Sequence, residues 1–544
     1  MTEKKNKEID VIDLSRAPDR KKAAAGSGRK KDGRRAGERP KKNTRPREKK
    51  SSGRTPAERA ARAYQEERPY RKKRAAAAAA DNREFAVVMY IFLALFAALT
   101  VWFIYYVGFR SETFINSPYN PRLSLMAEHT VRGSVVSSDG KVLAETKTDS
   151  AGNETRVYPY KNEYAHAVGF ATNGMSGAEL DANFQLLRSH EFFLTQLTEQ
   201  LTDKKTKGDN CNITIDSRLQ DTAYEGLGSY KGAVIAVEPS TGKILCMVSK
   251  PDFDPNTMAE NWENLTTAET SVLLNRAVQG LYPPGSTGKI FTTLEYLEEG
   301  NDPAVTYDCQ GTYTQDGFTI HCYNSEVHGT QDLSAAFANS CNTTFAQIGL
   351  RLDPARFTAL STRMLFNKAL PTKLQNVNRS SFSLSDADSD ASVMQTAIGQ
   401  GKTLVTPLHL CMVSAAIANG GDVMEPYMID SIESVDQTRI KRYRGEEYGS
   451  IMTAEEAEQM KALMRGVVTG GTGSRLNTDA YYAYGKTGTA EFSDDKSKTH
   501  AWFTGVAEKD GKQIAIAVIM EEAGTSSAHA VPLAKKCFET YFAN

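Results

Sequence analysis

The sequence predicts an α+β protein with a membrane-spanning helix. Strand-like apolar runs occur at residues 232–237 and 243–248, and again near the end of the chain at 501–503 and 513–520. Helical patterns lie between them, so strands from both ends of a domain can meet in one antiparallel sheet. A further uncharged apolar run, residues 85–109, has the length of a membrane span.

Charge divides the chain into a basic beginning and an acidic remainder. Residues 1–84 hold 28 Lys and Arg against 13 Asp and Glu, although the 544-residue chain has no net charge. Large apolar residues are scarce between Leu14 and Tyr64, so we expect a disordered tail over 1–84. No binding motif supports nucleic acid as its partner, and anionic lipid headgroups are the expected contact.

The apolar run 85–109 is predicted to be a single transmembrane helix. Trp102, Tyr105 and Tyr106 suit the far membrane interface. A signal peptide is disfavoured by the length of the run, by the long stretch ahead of it and by the lack of a clear cleavage site. The basic flank stays in the cytoplasm, so we expect the C-terminal body outside the cell membrane.

Two folded parts are predicted after the span. In the first, residues 110–207, a hairpin is expected at 134–143 and a helix at 180–201. This part shows no catalytic pattern, so we interpret it as a non-catalytic spacer or interaction module. The second part, residues 208–544, contains the strands described above, a helix at 217–230 and a final helix from about Val531.

A serine and a lysine three residues apart stand in the run 282–290 (YPPGSTGKI). On a helix these two side chains share a face. The Pro-Pro-Gly turn places Ser286 near a helix N-terminus, which favours developing negative charge. A serine needs a base to become a good nucleophile, and Lys289 is the nearest candidate.

Two further motifs follow in order, Ser340-Cys341-Asn342 and 486–489 (KTGT). Together with Ser286 and Lys289 they resemble the Ser-x-x-Lys, Ser-x-Asn and Lys-Thr-Gly set of penicillin-binding proteins and serine β-lactamases. The long interval before the third motif resembles the class B, monofunctional penicillin-binding transpeptidases.

The resemblance covers about residues 115–544 and lies nearest the penicillin-binding protein A branch. Further segments that carry it are 132–135, 139–144, 176–179, 399–407 and 500–505. It implies a five-stranded antiparallel sheet flanked by helices, with a helical lobe, a cleft between them and a smaller α+β module in front.

The resemblance also implies a D,D-transpeptidase that cross-links peptidoglycan through an acyl-serine. In this interpretation Ser286 is the nucleophile and Lys289, with its pKa lowered by Lys486 and by burial, is the base. Ser340 relays protons, and Asn342 binds the substrate amide or holds Lys289.

Substrate recognition is implied for the third motif. The backbone N–H groups of Ser286 and Thr489 form the oxyanion hole, and the terminal carboxylate of a D-Ala-D-Ala stem peptide binds Lys486, Thr487 and Thr489, with Gly488 between them. β-Lactams imitate this peptide end. No cofactor and no metal is expected. A membrane glycan polymerase of the shape, elongation, division and sporulation family is the implied partner.

Two other functions were weighed. A β-lactamase of class A needs a Glu-x-x-Leu-Asn loop, but Gly473 stands where that glutamate would precede Leu476-Asn477. A non-catalytic sensor would need a cytoplasmic signalling domain, which the tail is not expected to form. A scaffold would tolerate the loss of motif residues, and none is lost.

Seven cysteines leave their chemistry open. Their odd number excludes complete internal pairing. Cys309 and Cys322 bracket a short loop followed by His328, which suits a disulfide or a Cys/His metal site without an evident fourth ligand. Free thiols are the favoured interpretation, and Cys341 is expected to be a buried space-filler.

Overall fold

The structure is a computed structural model, and it describes residues 55–109, 121–202, 204–492 and 498–543. The chain divides into two compact units, residues 1–99 and 100–544. The first 54 residues of the predicted disordered tail lie outside the described residues.

Helix α1 (Pro56–Phe109) begins well before the predicted span. The structure describes residues 56–84 of the expected tail as the first part of this helix. The Thr55 N–H donates to the Glu58 carboxylate at 3.1 Å, a capping interaction with proline at the first helical position. The alanine-rich sequence that follows has high helix propensity. Within α1, Phe85–Tyr106 is long and apolar enough to cross a membrane, with a mean hydropathy of 2.5.

A small α+β module follows. Its elements are α2 (Pro121–His129), β1 (Thr130–Val131), β2 (Val135–Val136), β3 (Val142–Thr148), β4 (Glu154–Val157), α3 (Ala165–Val168), α4 (Gly177–Asp181), α5 (Asn183–Leu186), α6 (Phe193–Leu201), β5 (Thr206–Lys207) and β6 (Asn210–Ile213). The predicted hairpin is confirmed, since β2 and β3 pair antiparallel with Val135 opposite Ala144.

The continuous helix predicted over residues 180–201 is wrong, because the structure divides this stretch among α4, α5 and α6. Asp209 accounts for the break before α6. Its N–H donates to the Arg188 carbonyl at 2.8 Å, and its carboxylate accepts from the His190 N–H at 3.0 Å. These bonds hold residues 188–190 in a non-helical conformation that local periodicity does not reveal.

Two segments that carried the family resemblance meet in this module. The Glu179 carboxylate is fully buried and accepts from Arg132 Nε at 2.6 Å and from Arg156 Nε at 2.7 Å. A buried carboxylate is tolerated only when it is paired in this way. The ion pairs therefore fasten α4 to the chain around β1 and β4.

The larger part of the chain alternates helices and strands. Its elements are α7 (Ser217–Leu227), β7 (Gly232–Val237), β8 (Ile244–Lys250), α8 (Met258–Thr267), α9 (Lys289–Glu298), β9 (Tyr307–Cys309), β10 (Thr312–Gln315), β11 (Phe318–His321), β12 (Gly329–Gln331), α10 (Leu333–Ala338), α11 (Asn342–Gly349), α12 (Pro354–Arg363), α13 (Asp390–Ala397), α14 (Pro407–Ala418), β13 (Asp422–Met424), β14 (Ile429–Glu433), β15 (Arg439–Arg442), β16 (Glu447–Ser450), α15 (Ala454–Thr469), β17 (Tyr482–Glu491), β18 (Thr499–Lys509), β19 (Lys512–Met520) and α16 (Ala530–Phe542).

The predicted five-stranded antiparallel sheet is confirmed, with the order β17-β18-β19-β7-β8. Strands from the two ends of the domain meet where β19 pairs with β7, with Val518 opposite Val234. A second, six-stranded sheet has the order β15-β14-β6-β2-β3-β4, so it joins the module to the larger part.

Helices cover both faces of the five-stranded sheet. Buried residues of α7 and α16, such as Leu219 and Phe538, pack on one face. Helix α14 packs on the other through residues such as Leu410 and belongs to the same core as Phe291 of α9. Strand β17 is left at one edge of the sheet, where its third-motif residues can reach a cleft.

Candidate active site

The first motif lies in a tight turn that leads into α9. Residues Gly285–Gly288 form a 3₁₀ turn, and α9 begins at Lys289, as predicted from the Pro-Pro-Gly sequence. Gly285 has φ +53°, and its N–H donates to the Gly399 carbonyl at 2.8 Å. A side chain at Gly285 would stand 2.7 Å from the Thr489 carbonyl, so the close approach of this turn to β17 requires glycine.

The second motif forms the connection between α10 and α11. Ser340 has φ +58°, an uncommon conformation for a residue other than glycine. The Cys341 N–H donates back to the Ala336 carbonyl at 2.9 Å, which closes the end of α10. This geometry presents both the hydroxyl and the carbonyl of Ser340 to buried lysines.

Two lysines of the first and third motifs converge on Ser340. Lys289 Nζ donates to the Ser340 carbonyl and to Asn342 Oδ1, each at 2.7 Å. Lys486 Nζ donates to Ser340 Oγ at 2.8 Å and to the Thr487 carbonyl at 3.2 Å. Both lysine residues are fully buried. The structure thus brings the three motifs together around one serine.

Burial changes the protonation of both amines. It lowers the pKa of Lys289 to about 8. The pKa of Lys486 is also held well below its usual range, first by burial and then by the positive charge of Lys289. The sequence predicted that Lys486 and burial lower the pKa of Lys289, and the structure shows both burial and repulsion between the two lysines. A pKa of about 8 leaves part of the Lys289 amine neutral near neutral pH.

The third motif lies on β17 and borders the first. A side chain at Gly488 would stand 2.9 Å from Thr287 Cγ2 and 3.1 Å from the Pro284 carbonyl. Thr487 shares a hydrogen bond between side-chain hydroxyls with Thr472. Thr472 was not predicted as a site residue, although the glycine-rich run 470–473 (GGTG) indicates a backbone able to approach another segment closely.

A cleft of about 650 Å³ opens at these motifs. Five of the eight predicted site residues line it: Ser286, Ser340, Asn342, Thr487 and Thr489. The half-buried Ser286 faces this space, and no hydrogen bond joins its hydroxyl to Lys289 among the described residues. Such contacts commonly tighten when substrate binds.

One wall of the cleft was not predicted. Residues 318–326, which include β11, line the cleft together with His328. No local sequence signal connects this segment with the site, because it reaches the cleft only through tertiary folding.

The fold and the convergence of three motifs define a class, the serine acyltransferases of the penicillin-binding type. Residues 232–539 match the family model described as the penicillin binding protein transpeptidase domain, and residues 132–211 match the penicillin binding protein A dimerisation domain. The chain belongs to the penicillin-binding transpeptidase family.

Relatives with this arrangement are similar over most of the chain. The peptidoglycan D,D-transpeptidase PbpA of Mycolicibacterium smegmatis is 31% identical over 84% of this chain and 97% of its own length. The penicillin G acyl-enzyme of penicillin-binding protein A from Mycobacterium tuberculosis superposes with a TM-score of 0.68 at 28% identity, over 76% of this chain and 99% of that one. A D,D-transpeptidase domain from Eggerthella lenta gives 0.68 at 26% identity, over 76% of this chain and 99% of that one.

Proposed function

We propose that this protein is a peptidoglycan D,D-transpeptidase that works through an acyl-serine intermediate. The observation that carries the proposal is the convergence of Lys289 and Lys486 on Ser340 in the cleft that Ser286 lines. A weak nucleophile needs a base that is partly neutral at working pH, and the buried amine of Lys289, with its pKa lowered to about 8, supplies that property. Membership of the family supports the same activity.

In the acylation step, Ser286 Oγ attacks the carbonyl carbon of the penultimate D-Ala. The hydroxyl proton passes to the neutral amine of Lys289 as the C–O bond forms. The C–N bond to the terminal D-Ala then breaks, and its nitrogen takes the proton of the Ser340 hydroxyl. Lys289, whose Nζ lies 3.5 Å from Ser340 Oγ, replaces that proton with the one it took from Ser286, while Lys486 Nζ donates to the same oxygen at 2.8 Å. The products are the acyl-serine and free D-Ala.

Substrate binding is proposed for the edge of β17. The backbone N–H groups of Ser286 and Thr489 stabilise the negative charge that develops on the carbonyl oxygen, usually one of the largest contributions to catalysis. The hydroxyls of Thr487 and Thr489 and the charge of Lys486 bind the terminal carboxylate. An amine of a neighbouring stem peptide then attacks the acyl-serine, forms the cross-link and releases Ser286.

A fluorescent penicillin tests this proposal. Wild-type protein should become covalently labelled, and Ser286→Ala should not. The label should persist for minutes or longer, because no hydrolytic glutamate was found at the position of the class A enzymes. Fast turnover of penicillin would favour a β-lactamase, and undiminished labelling of Ser286→Ala would overturn the assignment of the nucleophile.

We infer further that the chain is a single-pass membrane protein with its catalytic part outside the cell. The basic segment ahead of Phe85–Tyr106 supports this orientation. Since residues 110–207 carry no catalytic pattern, glycan must come from a separate polymerase. The proposed partner is the membrane polymerase of the shape, elongation, division and sporulation family, with this module as the contact surface.

A chimera tests the partner. Replacement of residues 85–207 by an unrelated anchor and spacer should preserve penicillin labelling and abolish co-purification with the polymerase. A chimera that still co-purifies and still supports growth would show that the module is only a stalk.

A further inference from the structure

Four metal-ligating side chains meet beside residues 318–326, the segment that lines the cleft and was not predicted from the sequence. They are Cys309, Cys322, His328 and Cys341, and their ligand atoms all lie within 4.8 Å of one another. Cys309 ends β9 and His328 immediately precedes β12, and these two strands pair with Cys309 opposite Gly329. Cys322 follows β11, and Cys341 precedes α11.

Three of the six separations between these atoms are close to the edges of a metal-centred tetrahedron. The sulfur atoms of Cys309 and Cys322 are 3.7 Å apart, and those of Cys322 and Cys341 are 3.6 Å apart. Cys309 Sγ lies 3.3 Å from His328 Nδ1. Zinc bonds of about 2.3 Å to sulfur and about 2.0 Å to nitrogen give edges of about 3.8 Å and about 3.5 Å in a tetrahedron.

The surroundings also suit a bound cation. The three cysteines are at most 4% exposed, and the His328 side chain is 9% exposed. The Glu326 carboxylate lies 3.8 Å from His328 Nε2, on the ring nitrogen that faces away from the sulfurs. This separation is too long for a hydrogen bond, so the carboxylate contributes a negative charge near the cation site and does not hold the ring. The fourth ligand that the sequence left without a candidate is Cys341, the middle residue of the second motif.

We propose that Cys309, Cys322, His328 and Cys341 bind one zinc ion, and that this ion holds the Ser340-Cys341-Asn342 turn in its active geometry. Three thiolates and one imidazole in a closed tetrahedral set are typical of structural zinc. A disulfide between Cys309 and Cys322 would engage two of these sulfurs and leave the convergence of the third sulfur and the imidazole unexplained.

The second half of the proposal rests on the proposed transpeptidase function. The two residues beside Cys341 carry the oxygen atoms that accept from Lys289, each at 2.7 Å. Asn342 Nδ2 also donates to the His321 carbonyl at 2.9 Å, next to Cys322. A metal bound to Cys322 and Cys341 therefore ties the cleft wall to the turn that positions both lysines. The four ligands act as positioning residues and do not touch substrate.

Metal content tests the first half. The full-length protein, purified in detergent, should contain one zinc per chain, and after chelation it should bind Co²⁺ with the intense visible absorption of tetrahedral thiolate coordination. Cys322→Ser and His328→Ala should lose both signals. Cys246→Ser, which removes a buried cysteine from β8, is the matched control and should keep them. Wild-type protein with neither zinc nor the cobalt spectrum, or with Cys309 and Cys322 joined in a disulfide, would overturn the site.

Acylation by fluorescent penicillin tests the second half. Removal of zinc from the wild-type protein should slow labelling by about tenfold or more, because small displacements of catalytic groups are costly, and added Zn²⁺ should restore the rate. Equal rates with and without bound zinc would overturn the positioning role. A zinc-loaded protein that is never labelled would contradict the proposed function and leave the metal site standing.

Discussion

Ser340 accepts hydrogen bonds from both buried lysines. Its φ of +58° belongs to the left-handed region, which costs a residue with a side chain roughly 1–2 kcal/mol. In return, its hydroxyl reaches Lys486 while its carbonyl reaches Lys289. Strain of this kind is found where function fixes the backbone, so we interpret the conformation of Ser340 as part of the catalytic arrangement.

Two substitutions separate the hydroxyl of Ser340 from its backbone strain. Ser340→Ala and Ser340→Gly both remove the proposed proton relay, so each should slow penicillin acylation by about 10²-fold. Glycine adopts positive φ without penalty, so the glycine variant should be about 1 kcal/mol more stable than the alanine variant. Labelling kinetics and urea unfolding measure the two effects. Acylation at the wild-type rate in either variant would remove Ser340 from the mechanism.

At the scale of single residues, the sequence predicted which residues form the site better than it predicted which residues they contact. The motif pattern identified Ser286, Ser340 and Lys486. The structure places Ser286 and Ser340 at one cleft, with the buried Lys486 bonded to Ser340. The sequence could not reveal that Cys341 lies 3.6 Å from Cys322, because that contact depends on how β11 packs beside α11. Thr472 was missed for the same reason, since its partner Thr487 becomes its neighbour only through tertiary folding.

The turn 285–288, which contains the proposed nucleophile Ser286, is held between β17 and the segment that contains Gly399. Gly488 allows β17 to approach the turn, because an added Cβ would contact Thr287 and the Pro284 carbonyl. The third-motif glycine is thus required for packing as well as for its proposed place beside the substrate.

Gly488→Ala should therefore push Ser286 away from β17. We expect a loss of about 1–3 kcal/mol of stability from overpacking and slower acylation. Gly470→Ala is the matched control, because no atom lies within 4 Å of a Cβ added there. Urea unfolding and fluorescent-penicillin labelling should change in the Gly488 variant and stay close to wild type in the control. If both variants behave alike, the close approach of β17 has no functional consequence.

Helix α14 contains a buried histidine, His409, which should make the stability of the protein depend on pH. Burial lowers the pKa of His409 from 6.5 to about 4, although the Met364 carbonyl accepts a hydrogen bond from its ring at 2.6 Å. Between these values the unfolded chain binds a proton that the folded chain does not, so stability falls as the pH drops from 6.5 towards 4.

His409→Gln removes this titration and keeps an N–H donor. On lowering the pH from 7 to 5, wild-type protein should lose up to about 2 kcal/mol more stability than the variant, as measured by urea unfolding. His129→Gln, at an exposed position, is the matched control for the loss of a histidine. Parallel pH dependence of wild type and His409→Gln would contradict this account.

Elements with strong local patterns were predicted well. The apolar runs that became β7, β8, β18 and β19 fit strands buried on both faces of a helix-covered sheet. The single helix predicted over residues 180–201 failed, because hydrogen bonds from the distant Asp209 override the local pattern. Helix α1 begins at Pro56, well before the predicted span. The capping sequence at Thr55 is the local signal for that start, and the basic composition of the tail had favoured disorder there.

At the scale of the whole molecule, the distribution of charge and the apolar segment together predict the orientation in the membrane. Residues 1–84 carry the basic excess, and they precede the apolar segment Phe85–Tyr106. We expect a protease added to intact, wall-stripped cells to remove the C-terminal body and to spare an N-terminal tag. A protected C-terminal tag would reverse the proposed orientation.

The central claim is that Ser286 transfers a stem peptide to an amine and so cross-links peptidoglycan. The most direct measurement supplies the purified protein with lipid-linked precursor and a glycan polymerase, and analyses the digested product by mass spectrometry. The account predicts cross-linked peptide dimers that disappear with Ser286→Ala or after penicillin treatment. Product in which stem peptides only lose their terminal D-Ala, or dimers that persist in Ser286→Ala, would contradict it.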